Sequence, residues 1–455
     1  STALPNDVVE MINSEALVPL DKVIDSIGRD RFPKQALAEG QSDGKSYSVP
    51  IYSHAQVMWY RKDVLSSKGL SVPTTWEELA KAAKAIGKSD SLYGLSVPLG
   101  TGDMLGARYL NFYVRSAGQR LLKDDGTANL TSEAALGGIK YWTDLYKSVS
   151  PEGSLDYAVL DQATLFYQGK TAFDFNSGFH ISGVAKDSPN LVDSIAAAPL
   201  PRMKASDPAN YPAEVSNVPL VVWEASKVKR EAKAFLEFLF TKDKYIEFLH
   251  SVPGGMLPVL NDIAKDPSYT NNETIKKYSD SIKVIQDQVG VGTAIGMEKG
   301  PLVQAGVLTS QGLIEKMYHS IIIDKTDVEA AAKDCEKKLN EAFKAAGASI
   351  KCLGDAVGRG VSPPPSPKGE LMTRMKRMNW TGVVFVAPSI LIVLALLIYP
   401  VFSSIWYSFT DKHLLRHSYH VVGLSNYTDL LASSSFWNAF GVSIKWTAAS
   451  IIGQL

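Results

Sequence analysis

Between Tyr47 and Arg61 apolar and aromatic side chains crowd together, with Val49, Ile51, Val57 and Trp59 among them. That is the composition of a β-strand. Pro50 interrupts the run and cannot donate to a ladder, so Tyr47–Ile51 reads as an edge or crossing strand. After Pro73 the period changes. Thr75 and Glu78 form a capping box, and Trp76, Leu79, Ala80, Ala83 and Ile86 recur at helical spacing behind it.

The same reading extends along the chain. Val8 and Val9 predict a short strand, followed by helical patterns around Leu17–Ile27 and Phe32–Ala38. Helices dominate from Thr75 to Lys147, with an amphipathic one over Thr131–Tyr146. Ala172–Phe175, Ile195–Pro199 and Val218–Trp223 read as strands, and Ser226–Phe240 and Asp327–Ala345 as helices. Strands alternating with helices imply a layered α/β fold with largely parallel sheets.

Beyond Gly347 the pattern changes. Residues 353–371 form a Pro/Gly linker containing Ser-Pro-Pro-Pro-Ser-Pro. Trp380–Thr410 then runs without a charged side chain, longer than the ~20 residues that span a bilayer. A membrane span is expected at about 381–407, and a second apolar stretch opens at about 436–455.

Composition narrows the function classes. With 47 Lys plus Arg against 47 Asp plus Glu, net charge gives no argument for nucleic acid. Two cysteines, Cys335 and Cys352, make neither a disulfide framework nor a metal cluster. The histidines lack metal-ligand spacing, and no nucleophile, P-loop or zinc-protease motif occurs, so no catalytic residue, metal or cofactor is expected. Binding is the stronger expectation.

The order of pieces is more specific than their types. G-K-S-Y-S-V-P, an aromatic strand ending in Tyr-Arg-Lys-Asp, and G-L-S-V-P-T-T-W-E-E-L resemble the family 1 extracellular solute-binding proteins of ABC sugar importers. That resemblance implies a two-lobed α/β periplasmic-binding-protein fold with two hinge crossings, closing on solute without covalent chemistry. It puts 1–52 and 218–256 in the first lobe and 53–217 and 257–352 in the second. Pro5–Val9 resembles an internal segment of the family, which leads to the expectation that the first lobe lacks its opening strands.

Sugars present apolar C–H faces ringed by hydroxyls, so a site for them needs aromatic faces and amide, carboxylate or backbone groups. Tyr167–Phe179 resembles the family's G-K-x-A-M-x-x-x-G-x-W segment, which places Phe179 where an aromatic stacks on sugar, beside Ser177 and Gly178. Tyr52 and His54 follow the hinge, while Asp103 and Tyr109 lie in a loop-to-helix region that often touches ligand in the family. Asn217 stands in the second crossing, Gly255 in a G-G-M-L-P loop near the cleft, and Gln311 where the family brings a further aromatic.

The tail carries a second resemblance. Ala387–Asp411, Val422–Tyr427 and Phe436–Phe440 resemble the start of a maltose-type ABC sugar permease, so 372–455 reads as a permease N-terminal fragment. The expected partners are a sugar or polyol, permease subunits and a cytoplasmic ATPase. The expected location is the periplasmic or extracellular face for 1–352 and the inner membrane for 380–455. Arg374, Lys376 and Arg377 ahead of the span favour a cytoplasmic N-terminal side, in conflict with a binding domain outside. Two adjacent reading frames joined into one chain would reconcile the halves. The alternatives are a membrane-tethered solute sensor and a glycan-processing enzyme, the latter needing a carboxylate pair that Asp103, Asp174 and Glu214 do not announce.

Overall fold

The computed structural model describes residues 1–2, 5–89, 91–208, 214–289 and 292–357, together with 406, 408–410, 421–432 and 437. It divides into two units, Ser1–Val361 and Ser362–Leu455. In the second, helix Ser425–Ala432 and a bridge between Thr410 and Val421 are described. The spans expected at 381–407 and 436–455 lie outside the described residues, apart from Trp406 and Trp437. Among the described residues no helix is long and apolar enough to cross a membrane.

The first unit is built on two sheets joined by one continuous extended run. Strand β1 (Ser48–Ala55) belongs to the first sheet, and β2 (Val57–Arg61), one residue later, to the second. The second sheet also contains β3 (Tyr93–Leu95), β4 (Thr171–Asn176) and β5 (Ile195–Ala198), in the order β3-β4-β2-β5. The chain then returns through β6 (Val215–Val221) and β7 (Leu257–Pro258), which flank β1 in the first sheet. Only β3 and β4 pair in parallel; the other pairs of these two sheets are antiparallel. The expectation of largely parallel sheets is therefore corrected. The second crossing strand runs back along the first, so the hinge ladder itself has to be antiparallel.

That ladder explains what Pro50 does. Pro50 lies opposite Pro219, so neither strand offers an N–H there, and the register slips between Pro50 and Tyr52. The Tyr245 hydroxyl donates to the Ile51 carbonyl at 2.6 Å and accepts from Val259 N–H at 3.0 Å, satisfying the backbone at the bulge.

Helices cover the sheets. They include α1 (Pro5–Asn13), α2 (Lys34–Ala38), α3 (Trp76–Ile86), α4 (Leu105–Ser116), α5 (Glu133–Val149) and α6 (Phe179–Asp187). Further on come α7 (Lys242–Leu249), α8 (Ser279–Val289), α9 (Val303–Ser310), α10 (Leu313–Ile322) and α11 (Val328–Val357). The α3 capping box forms as its residues require: Thr75 accepts from Glu78 N–H, and Glu78 accepts from Thr75 N–H. The strand expected at Val8–Val9 is helix α1 instead. Its Val8, Met11 and Ile12 fall at helical spacing and pack with Leu17 and Val221, which outweighs the local β-branched pair.

Two cores follow the two sheets. Trp142, Phe112, Phe175 and Tyr318 lie in one, and residues from α3 to α5 and α9 to α11 build it. The other combines Val49, Ile51, Tyr245 and Leu260 with Ile282 and Ile285 of α8, and also takes in Trp59, Phe166 and Ile181. Residues 257–285 contribute to this core, and α8 also reaches the second sheet, where the Ser281 hydroxyl accepts from Ala197 N–H of β5 at 3.0 Å. The chain then crosses a third time near Thr293, which bridges Glu214 and precedes Ile295 of the other core, so the expected two hinge crossings are corrected to three.

Candidate functional site

The point where β1 passes into β2 joins the two sheets. Alternation along β1 puts Tyr52 and His54 on one side of the ribbon and Ser53 on the other. Phe179 follows β4 at the first residue of α6, and so comes from the second sheet. Its ring lies 6.3 Å from Tyr52 and 6.1 Å from His54. Phe248 at the end of α7 stands 6.3 Å from Tyr52 on the first-sheet side. These are edge and tilted contacts that leave Tyr52, His54 and Phe179 partly exposed.

Two glycines permit this approach. A Cβ on Gly178 would sit 1.8 Å from the Gly254 carbonyl oxygen, and one on Gly255 would sit 3.3 Å from the Phe179 Cα. The Phe179 turn is thus laid directly on the 254–255 loop. Behind it, Trp59 Nε1 donates to the Ser177 carbonyl at 3.0 Å. Asp174 and His180, fully buried, meet at 2.5 Å, and Gln162 donates to Asp174 and to the Tyr109 hydroxyl. This network fixes both ends of the segment that carries Phe179.

A charged pair borders the aromatic group. On the second crossing, register places Ser216 opposite His54, and the Glu214 carbonyl accepts from Gln56 N–H at 3.0 Å. The Glu214 carboxylate is gripped by Arg108 of α4: Nε donates to both oxygens at 3.0 and 2.9 Å, and Nη2 donates at 2.8 Å. Both side chains are almost wholly buried. Burial, and after it the Arg108 charge, pushes His54 down to about 4, so the imidazole is neutral at physiological pH. Its Nδ1 and the Gln56 Oε1 are shut from solvent without a hydrogen-bond partner. Neutral imidazole, amide, guanidinium and carboxylate are the groups that orient hydroxyls over an aromatic face.

The residues predicted from sequence divide. Tyr52, His54, Phe179, Gly178 and Gly255 come together. Ser177 is buried and contributes its carbonyl to Trp59. Tyr109 is a correction: it is fully buried in the core around Trp142 and Phe175, because a helix with apolar neighbours on both sides turns it inward. Asp103 is another. Its carboxylate accepts from Met104 N–H and from Val159 N–H, tying two helix starts together. Asn217 faces the opposite side of the ribbon, where it takes the Ser53 hydroxyl at 2.6 Å and donates to Glu39 at 3.1 Å. Gln311 is an exposed residue at the end of α9, and its carbonyl accepts from Lys316. Sequence reasoning missed Arg108, Gln56 and Phe248 as site residues and weighed Glu214 only as half of a catalytic pair. The alternation from His54 through Gln56, and from Ser216 back to Glu214, was the signal that could have found them. Among the described residues no group of three or more His, Cys, Asp or Glu could hold a metal ion.

Comparison with known proteins decides the family. The bacterial extracellular solute-binding protein family matches residues 1–245, more than half of the chain. The chain belongs to that family. A relative in Brucella abortus (strain 2308), named only as a binding protein, is 28% identical over 346 residues, covering 74% of this chain and 77% of the relative. The solute-binding protein of Thermotoga lettingae, solved with bound α-D-tagatose, has a TM-score of 0.65 at 21% identity, covering 75% of this chain and 84% of that one. One from Agrobacterium radiobacter K84, solved with ribitol, gives the same TM-score, identity and coverage. These likenesses establish the two-lobed fold, and the family is one of solute-binding proteins, not enzymes. Of a different kind is a multiple sugar-binding transport system permease protein of Streptococcus mutans, 33% identical over 86 residues, which are 18% of this chain and 29% of that protein.

Proposed function

We propose that residues 1–352 of this solute-binding protein capture a sugar or polyol outside the cytoplasmic membrane and present it to an ABC permease. The observation that carries the reading is the meeting of Tyr52 and His54, from the first sheet, with Phe179, from the second, at the crossing between them. A solute held there touches both lobes. Its binding therefore favours the closed arrangement by the difference in contacts between closed and open forms. The structures of solute-binding proteins solved with tagatose and with ribitol support the ligand class.

The lobe limits that best fit the packing put 1–55 and 215–289 with the first sheet, and 57–208 and 295–347 with the second. For 372–455 the reading is a permease fragment in the inner membrane. It rests on the uncharged Trp380–Thr410 run, on the permease-like motifs and on the partial permease match. A cytoplasmic ATPase would supply the energy for transport.

Thermal-shift screening of the full chain against monosaccharides, polyols and sugar phosphates tests the binding reading. At least one compound raises the unfolding temperature, and Phe179→Ala abolishes that shift. Silence across the panel, or an unchanged shift in the variant, would refute the site.

A further inference from the structure

The ion pair beside His54 bears on the charge of the solute, and this inference rests on the sugar or polyol site proposed above. Among the described residues, Arg108 is the one cation that the contacts place at the ribbon next to the aromatic group, and Glu214 already occupies it. Three hydrogen bonds of 2.8 to 3.0 Å consume Nε and one N–H of Nη2. Nη1 meets no acceptor among the described residues, and 11% of the side chain stays accessible. The guanidinium can therefore still donate to a hydroxyl. It has no uncompensated charge left to offer a carboxylate or phosphate.

The surrounding groups add no positive charge. His54 is held neutral by burial and by Arg108 itself. Gln56 is an uncharged amide whose Oε1 lacks a partner, an acceptor suited to an O–H. Asp103 acts on Arg108 through a further negative charge. An anionic ligand group placed against Arg108 would face Glu214 across the same guanidinium, and like charges in a desolvated site repel strongly. We infer that the buried Glu214 carboxylate is a specificity-determining residue that reserves this site for uncharged sugars or polyols and excludes their acids and phosphates.

Here Glu214 works against the wrong ligand more than for the right one, a division of labour that specificity often needs. Removing its charge while keeping its shape should convert Arg108 into an anion receptor, because a guanidinium binds carboxylate in two-pronged fashion when nothing else does.

The test is isothermal titration of the full chain with matched pairs: mannitol and gluconate, glucose and glucuronate, ribitol and ribitol 5-phosphate. For the pair whose neutral member binds, the acid should bind at least about thirtyfold more weakly to the wild type. In Glu214→Gln that ratio should fall to about threefold or less, or invert. The readout is a ratio of two affinities, so a general loss of binding in the variant leaves it readable. The wild-type ratio needs no variant, so a variant that fails to fold does not shield the inference. An acid or phosphate that binds the wild type as tightly as its neutral partner overturns the inference while leaving the binding reading intact. A wild-type preference unchanged in Glu214→Gln removes Glu214 from the role. No binding by any neutral member of these pairs, with none in the wider screen, would sink the site itself.

Discussion

Gly178→Ala is the smallest change that should disturb the site while leaving the Tyr52, His54 and Phe179 side chains intact. Gly178 has φ −63°, an ordinary value for any residue, so the substitution carries no conformational strain. The penalty is purely steric. The new Cβ would stand 1.8 Å from the Gly254 oxygen, 2.6 Å from the Gly254 carbon and 3.2 Å from the Gly255 nitrogen. All three are backbone atoms, which cannot rotate away as a side chain can. Restoring a tolerable separation of about 3 Å from that oxygen requires roughly 1.2 Å of movement between the Phe179 turn and the 254–255 loop. Overpacking of this kind costs about 1–3 kcal/mol. Because the turn and the loop come from opposite sides of the crossing, the displacement pries the Phe179 ring from Tyr52 and His54. Solute affinity should fall about tenfold or more, and the unfolding temperature should drop by several degrees, given about 2–4 °C per kcal/mol for a domain of this size. Differential scanning fluorimetry and isothermal titration read the two effects on one sample. A variant matching the wild type in both would show that the turn and the loop do not approach as described, and the geometry of the site would fall with them.

Phe179→Ala removes the aromatic face itself and should weaken solute binding about ten- to a hundredfold by isothermal titration, while Phe179→Tyr should keep most of the affinity. Burial raises both Glu39 and Glu315 to about 7, from an ordinary 4.5. Each group binds its proton more tightly when folded, so its stabilising contribution is full below pH 4.5 and is lost as pH rises through 7, worth at most about 3 kcal/mol apiece. Urea unfolding between pH 5 and 7.5 should show that slope. The double variant Glu39→Gln, Glu315→Gln should flatten it, and a slope the variant leaves unchanged would refute the assignment. Thr75→Ala deletes the acceptor for Glu78 N–H and should cost about 1 kcal/mol in urea unfolding without affecting solute affinity.

What the sequence revealed, and what it hid, follows the range of the interactions. The α3 capping box is local: its partners stand within one helical turn of each other, so the Thr-Trp-Glu-Glu motif is legible from the residues alone. Pro50 marked a crossing strand, whereas its hinge role and the stacking place of Phe179 were legible only through the family resemblance of the Tyr47–Leu79 and Tyr167–Phe179 segments. Helix α1 was misread because Val8-Val9 is a strong local β signal, while the contacts that overrule it, with Leu17 and Val221, are distant. Arg108 and Glu214 are 106 residues apart, and no periodicity links a helix face to a crossing strand at that separation. Tyr109 shows the opposite error. An aromatic near a predicted site is attractive on paper, but Trp142 and Phe175 claim it for the core.

The two arginines of α4 fasten one helix to two crossings. Arg108 holds Glu214 at the second crossing, and Arg115, seven residues on, donates to the Thr293 and Ala294 carbonyls and pairs with Glu298 at the third. Seven residues are about two helical turns, so both side chains leave the same face of α4. That helix is thus fastened to two of the three crossings, which are joined to each other by Val215 N–H on the Thr293 carbonyl. On the other side of the ribbon, Glu39 at the end of α2 takes Asn217 of the second crossing and the Ala294 N–H of the third. The crossings are therefore bound from both lobes through short polar contacts, whereas the Phe179 ring meets the first sheet through ring edges and the 254–255 loop. Polar bonds with fixed partners hold an axis. The Phe179 ring itself has no such fixed partner, although Ile181, two residues on in α6, is buried in the core shared with the first sheet.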